Sequence, residues 1–431
     1  MKKIDVITLG CSKNVVDSEH LMGSLEAAGW QVRHDPEQVD GNIVVINTCG
    51  FILDAKEESI EMILNFAAAK AQGRIEKLYV VGCLSERYKD ELAVEIPEVD
   101  EFFGVNNLNE VLGKITELPI THNENQLHRK LTTPRHYAYL KISEGCNWGC
   151  GYCAIPIIRG KHISVPAQVL VREARELARR GVKELIVIGQ DTTYYGLDLY
   201  GERKLGFLLE ELCKIEGIEW VRLHYAYPTQ FPDDVIDIMR VQPKICKYLD
   251  IPFQHISDNI LHSMRRGITK EQTYDLIERL RREIPDIALR TTLLVGYPNE
   301  TEQDFAELLE FVERVKFERL GVFPYSPEEG THSALTMSDN VPEELKERRA
   351  EQIMALQQEI SRGANERLVG TKQRVIIDRK EGDYYVARTQ YDSPEVDNEV
   401  LVTGKAKVGA FDDVEITAAD DYEIFGVVIT K

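Results

Sequence analysis

Residues 137–153 read YAYLKISEGCNWGCGYC. A strand-like run, YAYLKIS (137–143), leads into three cysteines, Cys146, Cys150 and Cys153, spaced C-x3-C-x2-C. Structural zinc sites pair C-x2-C with a second pair of Cys or His ligands. Here the nearest fourth ligand, His162, lies beyond IPIIRGK, so a Cys3His zinc site is the competing reading. The bacterial ferredoxin run supplies four cysteines, one more than this loop has. Three thiolates on a cubane iron–sulfur cluster leave one iron open to chelate a small molecule. Two glycines and Asn147 free the loop to wrap such a cluster. Ligands at the end of the first strand sit where α/β barrels build their active sites.

Working outward, strand–helix units repeat six times between about 137 and 330. The later strands are ELIVIGQ (184–190), WVRLHYA (220–226), YLDIPFQ (248–254), ALRTTLLVG (288–296) and RLGVFPYS (319–326). Right-handed crossovers allow either a doubly wound sheet or a partial TIM-type (β/α)6 barrel, and the pattern alone leaves both open. Upstream, IDVITL (4–9), NIVVINT (42–48) and KLYVV (77–81) are continuous apolar runs of the kind buried in parallel sheets. Ile60, Ile63, Leu64 and Ala67 share a helical face, and a further helix is expected over Val15–Ala28, stopped by Gly29. A Rossmann-like α/β domain follows, without the G-x-G-x-x-G loop that would make it nucleotide-binding. The last stretch holds five short alternating strands, a small all-β barrel of OB-like size. The expected organisation is therefore an N-terminal domain over 1–120, a linker over 121–136, a core over 137–340, a polar helix over 341–370 and the barrel over 371–431.

Composition narrows the partners. Among 431 residues, 52 Lys/Arg face 72 Asp/Glu, a net charge of −20, which favours a basic or neutral partner over phosphate. Neither an apolar run of about 18 residues nor a signal-peptide pattern occurs, so a cytoplasmic protein without a membrane association is expected. In a reducing compartment eight cysteines point to metal or redox chemistry rather than disulfides.

Cys11, Cys49 and Cys83 each stand just beyond a predicted parallel strand, in ITLGC, VINTC and VVGC. Parallel strands end along one sheet edge, so the three thiols can converge there, and helix N-termini at that edge would favour thiolates. Convergence would give a second three-cysteine cluster site. Cys213 and Cys246 show no partner pattern and are expected in the core.

The core motif, with Tyr152 before its last cysteine, resembles the radical S-adenosylmethionine superfamily. That resemblance implies that the open iron binds the cofactor's amino and carboxylate groups and cleaves it to a 5′-deoxyadenosyl radical. LGCSKNVVDSE (9–19), NTCGF (47–51), KISEGCNWGCGYCAIP (141–156), VGYPNET (295–301) and YSPEEGT (325–331) together resemble the methylthiotransferase family over nearly the whole chain. That family implies two 4Fe–4S clusters, the second held by Cys11, Cys49 and Cys83, an external electron donor, and a terminal barrel of the TRAM type. Replacing C–H by C–S–CH3 is work for the cofactor, not for protein acids and bases.

One branch of the family modifies an adenosine in transfer RNA, the other an aspartate of small-subunit ribosomal protein S twelve. LGCSKN resembles the protein-modifying branch. From Thr371 onward eight Lys/Arg stand against thirteen Asp/Glu, which suits a basic ribosomal protein, so direct nucleic-acid binding is not expected to dominate. Nothing in the pattern requires an obligate dimer.

Tyr152 resembles the superfamily position whose backbone meets adenine. Gln190, Asp191, Gln254, Gly296 and Glu300 end or follow core strands and are candidate cofactor contacts, with loop building or helix capping as the alternative. His224 and His255 read as hydrogen-bonded structural histidines, and no residue stands out as general acid or base. A two-cluster electron-transfer protein would explain six cysteines but would not need six α/β units or a terminal barrel.

Overall fold

The computed structural model describes residues 3–38, 41–105, 107–116 and 128–429, so 121–127 of the expected linker lie outside the described residues. The first sheet comprises β1 (Lys3–Thr8), β2 (Gln31–His34), β3 (Ile43–Thr48), β4 (Lys77–Gly82) and β5 (Glu101–Phe102), all parallel, in the order β2-β1-β3-β4-β5. The apolar runs are continuous because helices cover both faces. Leu21, Met22 and Leu25 of α1 (Ser12–Ala27) pack on one side. Ile63 and Ala67 of α2 (Leu53–Ala71) and Leu84 of α3 (Cys83–Glu95) pack on the other. Leu64, expected on that face, is exposed because only a narrow stripe of α2 meets the sheet. The helix α1 begins three residues earlier than the apolar pattern suggests, with Cys11 extended at its N-cap.

In the core, β6 (Tyr137–Lys141) is followed by a short antiparallel pair, β7 (Ser143–Glu144) with β8 (Ile163–Ser164), which ties together the two ends of the cysteine loop. Then come β9 (Glu184–Ile188), β10 (Trp220–Leu223), β11 (Ile245–Asp250), β12 (Ala288–Val295) and β13 (Arg319–Pro324). The sheet runs β6-β9-β10-β11-β12-β13, strictly in chain order and parallel throughout. A doubly wound sheet would reverse its order midway, so the sequential order decides for the partial barrel. Cys213 and Cys246 are both buried, in the clusters that pack this sheet.

The helix Glu343–Glu366 leads to the terminal barrel: β14 (Lys372–Glu381), β15 (Tyr384–Thr389), β16 (Glu399–Thr403), β17 (Phe411–Ala419) and β18 (Glu423–Val428). These close in the order β14-β15-β16-β18-β17, with only β16 and β18 parallel, the OB-like connection.

Buried ion pairs fix how these bodies dock. Arg129 joins Glu19 of α1 (2.6 Å) to Glu173 of the core (2.7 Å). Glu328, in YSPEEGT, receives both Lys56 and Arg87 of the N-terminal body. Glu184 on β9 is clamped between Arg222 and Arg388, the latter from the terminal barrel. Such pairs need exact partners to offset desolvation, so they specify register more than they add stability.

Candidate functional site

Three strand ends of the first sheet bring Cys11, Cys49 and Cys83 to one edge. Each has a glycine beside it, and these glycines are what let the loops meet. A Cβ on Gly10 would lie 2.7 Å from Cys49 Cβ, and one on Gly50 would lie 2.6 Å from the Leu84 backbone nitrogen. One on Gly82 would lie 2.5 Å from Asn47 Oδ1, and Gly82 also has φ +99°, which only glycine adopts at little cost. Asn14 is the hub. Its Nδ2 donates to the carbonyls of Leu9 (2.8 Å) and Thr48 (3.0 Å), and its Oδ1 accepts from the Cys83 thiol at 3.8 Å. Ser59 pins Cys49 from both sides, accepting from its N–H and donating to its carbonyl.

The expected thiolates do not form on helix position alone. Burial pushes Cys83 up to about 12 although it opens α3, and the Arg159 guanidinium only partly counters this. Cys49 is raised for the same first reason. Desolvation outweighs the helix terminus here, so metal must displace the protons.

In the core loop, burial likewise raises Cys146 and Cys153 to about 12. Cys150 Sγ lies 3.5 Å from the Tyr227 hydroxyl and 3.7 Å from Arg266 Nη1. Trp148 stacks on Tyr227 at 4.1 Å and donates to Asp191 Oδ2 at 2.6 Å. His162 is engaged elsewhere: Nε2 meets Ser164 Oγ at 3.0 Å and the ring packs on Tyr194. Its Nδ1 is buried without a hydrogen-bond partner. Among the described residues no three His, Cys, Asp or Glu side chains gather at the spacing of a single metal ion. Two sets of three thiols on glycine-bearing loops match the donor chemistry of clusters, where each thiolate meets a different iron.

The two cysteine-bearing regions pack on each other. Ala154 and Ile158, immediately after Cys153, pack against Cys83. Arg159, itself buried, donates to Asn14 Oδ1 (2.6 Å) on one side and to Glu144 (2.9 Å) on the other. Burial opposes the charge of Glu144, but Lys141 and Arg159 hold its carboxyl at about 2.

The six candidate cofactor contacts all lie at or beyond core strand ends, in different states. Gln190 donates to Glu144 (2.6 Å) and keeps a buried Oε1 without a partner. Tyr152 packs with Ile260, Met264 and Tyr297, its hydroxyl 3.4 Å from Arg266. Gln254 bridges to β12 with φ +71°. Gly296 leaves room for Lys346, whose Cγ would lie 2.1 Å from an added Cβ. Two are saturated internally. Asp191 Oδ1 caps Thr193, and Glu300 accepts from the N–H groups of Gly296 (2.5 Å) and Tyr297 (3.1 Å) and pairs with Arg349. Thr301 and Asp304 form the capping box of the helix that follows. His224 meets Ser393 Oγ at 2.9 Å, and His255 accepts from Ser257 N at 3.0 Å. Sequence reasoning missed Arg266, Tyr227, Asn14 and Arg159. Asn14 stood in a quoted motif, whereas Arg266 in SMRRG carried no signal.

This is an iron–sulfur α/β barrel carrying an N-terminal three-cysteine domain and an OB-like module. Family models match accordingly: the uncharacterized protein family UPF0004 over residues 3–104, the radical SAM superfamily over 140–312 and the TRAM domain over 369–429. Among solved structures, the radical S-adenosylmethionine methyltransferase TsrM from Kitasatospora setae is similar with a TM-score of 0.56 at 14% identity, covering 77% of this chain and 74% of that one. The cobalamin-dependent radical enzyme OxsB gives 0.53 at 12% identity, covering 81% and 56%. Both show the fold alone.

Sequence relatives are far nearer. "Ribosomal protein uS12 methylthiotransferase RimO" of Phocaeicola vulgatus is 55% identical over 99% of each chain. The protein of the same name from Bacteroides thetaiotaomicron is 54% identical over 100% of this chain and 99% of its own. The chain belongs to the RimO family of radical SAM methylthiotransferases. A member of this superfamily works with a 4Fe–4S cluster and S-adenosylmethionine. No helix among the described residues is long and apolar enough to cross a membrane.

Proposed function

We propose that this enzyme replaces a C–H bond with C–S–CH3 at the β-carbon of an aspartate in ribosomal protein S twelve. One observation carries the two-cluster reading: the segment just after Cys153 packs on Cys83 through Ala154, and its Arg159 reaches Asn14 of the N-terminal domain. Cys146, Cys150 and Cys153 would hold the cluster that binds S-adenosylmethionine, and Cys11, Cys49 and Cys83 a second 4Fe–4S cluster that supplies sulfur. When bound, these groups provide the radical and the sulfur. The chain's own residues do the rest. Arg266 lays a cation beside Cys150, where it would face the negative charge of a bound cluster. Tyr152, Gln190, Gln254 and Gly296 would meet the cofactor, and Asp191 and Glu300 would hold the loops around it. Arg159 and Asn14 tie the two cysteine-bearing regions together.

The terminal barrel's excess of acidic side chains supports a basic protein substrate over transfer RNA. The test is turnover by anaerobically reconstituted enzyme with S-adenosylmethionine, reductant and sulfide, on a peptide bearing the target aspartate or on unmodified tRNA. A gain of about 46 Da on the peptide is expected, as H gives way to SCH3. Modification of the tRNA instead would overturn the assignment of substrate.

A further inference from the structure

A cavity of about 250 Å³ lies where all three bodies meet. Its walls include Cys11 and Ser12 from the N-terminal domain, Tyr139, Tyr225 and Arg290 from the partial barrel, and Glu395 from the terminal barrel. It falls below the roughly 300–1,000 Å³ of sites for drug-sized ligands, which suits one side chain presented on a peptide. Because Cys11 is the exposed member of its triad, whatever enters here arrives beside the second cluster site.

Lys13 stands next to this cavity in an unusual state. It is only 7% exposed, and its Nζ lies 2.9 Å from the centroid of the Tyr225 ring. Among the described residues that Nζ is paired with no carboxylate. Of the other charges nearby, Arg290 lies between Asp250 (3.5 Å) and Asp397 (3.2 Å), and Glu395 accepts from the neutral Tyr137 hydroxyl at 3.4 Å. Tyr225 itself has φ +57°, a left-handed conformation that costs energy for a tyrosine and is fixed by its N–H donating to Asp250. A buried ammonium held only by a ring is poorly compensated, and an incoming anion would complete its shell.

We infer that Lys13 is the specificity-determining residue that binds the carboxylate of the substrate side chain in this cavity, with Tyr225 as its resting place when the cavity is free. This rests on the assignment of an aspartate as the reacting residue. Aspartate and asparagine have nearly the same shape, so only a charged partner separates them strongly. Seated this way, the carboxylate anchors the side chain while its β-carbon faces the Cys11 side.

Binding without turnover tests this on the reconstituted full-length enzyme, using fluorescence anisotropy of a labelled peptide carrying the aspartate and of its asparagine twin. The wild type should prefer the aspartate peptide by roughly 10- to 100-fold, the range for a charge-assisted hydrogen bond. In Lys13→Met that preference should vanish, through weaker binding of the aspartate peptide alone, and Lys13→Arg should restore part of it. Iron content should stay at the wild-type level in both variants. An unchanged preference in Lys13→Met overturns the inference, because Lys13 then does not read the carboxylate. Loss of iron in Lys13→Met also overturns it, because the lysine then balances the charge of the neighbouring cluster. Failure of the wild type to methylthiolate the aspartate peptide is a separate result, and it would refute the substrate assignment itself.

Discussion

The two cysteine triads solve one problem by opposite routes. The core triad lies within eight residues of one loop, closed at its base by the pairing of Ser143–Glu144 with Ile163–Ser164. The N-terminal triad draws one cysteine from each of the segments that follow β1, β3 and β4, at separations of 38 and 34 positions. A local loop can tolerate slack, because its ligands are joined by a few bonds. A triad assembled across a sheet edge must have its loops interlocked, and the glycines show this. Gly10, Gly50 and Gly82 all have backbone or side-chain atoms closer than 3.0 Å to an added Cβ; in the core loop Gly145 and Gly151 are packed as closely, and the slack is confined to Gly149, which has nothing within 4 Å.

The largest test of that contrast removes one thiol from each set. Cys150→Ala should abolish 5′-deoxyadenosine formation, since the open-iron cluster depends on all three ligands. Cys83→Ala should still form 5′-deoxyadenosine but give no methylthiolated peptide. Mass spectrometry of both products separates the two; if Cys83→Ala makes product, the N-terminal triad does not deliver sulfur.

Smaller changes sharpen the comparison. Gly82→Ala places a methyl group 2.6 Å from the Thr48 carbonyl at φ +99°. That geometry costs about 1–3 kcal/mol from backbone strain alone. Iron should fall from about eight to about four atoms per chain as one of two 4Fe–4S clusters is lost. Gly149→Ala should keep its iron. Equal losses in the two variants would mean that the close approach at Gly82 does not matter for holding iron.

The mildest probe is pH, acting on the contacts that hold the triads together. Burial opposes the charge of Glu144 and of Glu173. Lys141 and Arg159 in the first case, and His20 and Arg129 in the second, bring each to about 2 from an ordinary 4.5. These lowered values mean stability that is fully present above about 4.5 and lost as pH falls toward 2. Glu300 behaves oppositely: burial raises it to about 7 despite Arg349, so its share is present below about 4.5 and lost as pH rises through 7. Hydrogen exchange between pH 4.5 and pH 3 should therefore open the contact between α1 and the core before the β12 loop. Simultaneous opening would show that these ion pairs do not govern docking.

Much of this was legible in the chain. The C-x3-C-x2-C loop after YAYLKIS, the three strand-end cysteines and the five alternating strands at the end each have a local signature. The short strands Gln31–His34 and Glu101–Phe102 did not, since four and two residues carry too little period to read. Glu300 and Asp191 looked like cofactor contacts from their strand-end positions. Only coordinates show that backbone N–H groups and neighbouring side chains already occupy their carboxylates.

By itself the sequence determined the chain order of elements, the two sets of thiols and the acidic character of the terminal barrel. These depend on spacing and composition, which survive without knowledge of who meets whom. Tertiary structure alone decided the sequential sheet order, the packing of the two cysteine-bearing regions on each other and the placement of Lys13 beside a cavity shared by three bodies. Arg159 meets Asn14 across 145 residues, and Glu184 meets Arg388 across 204. Such partners share no local period, and their pairing is set by burial: a charge taken from water must find its counterpart wherever the packed layers bring one.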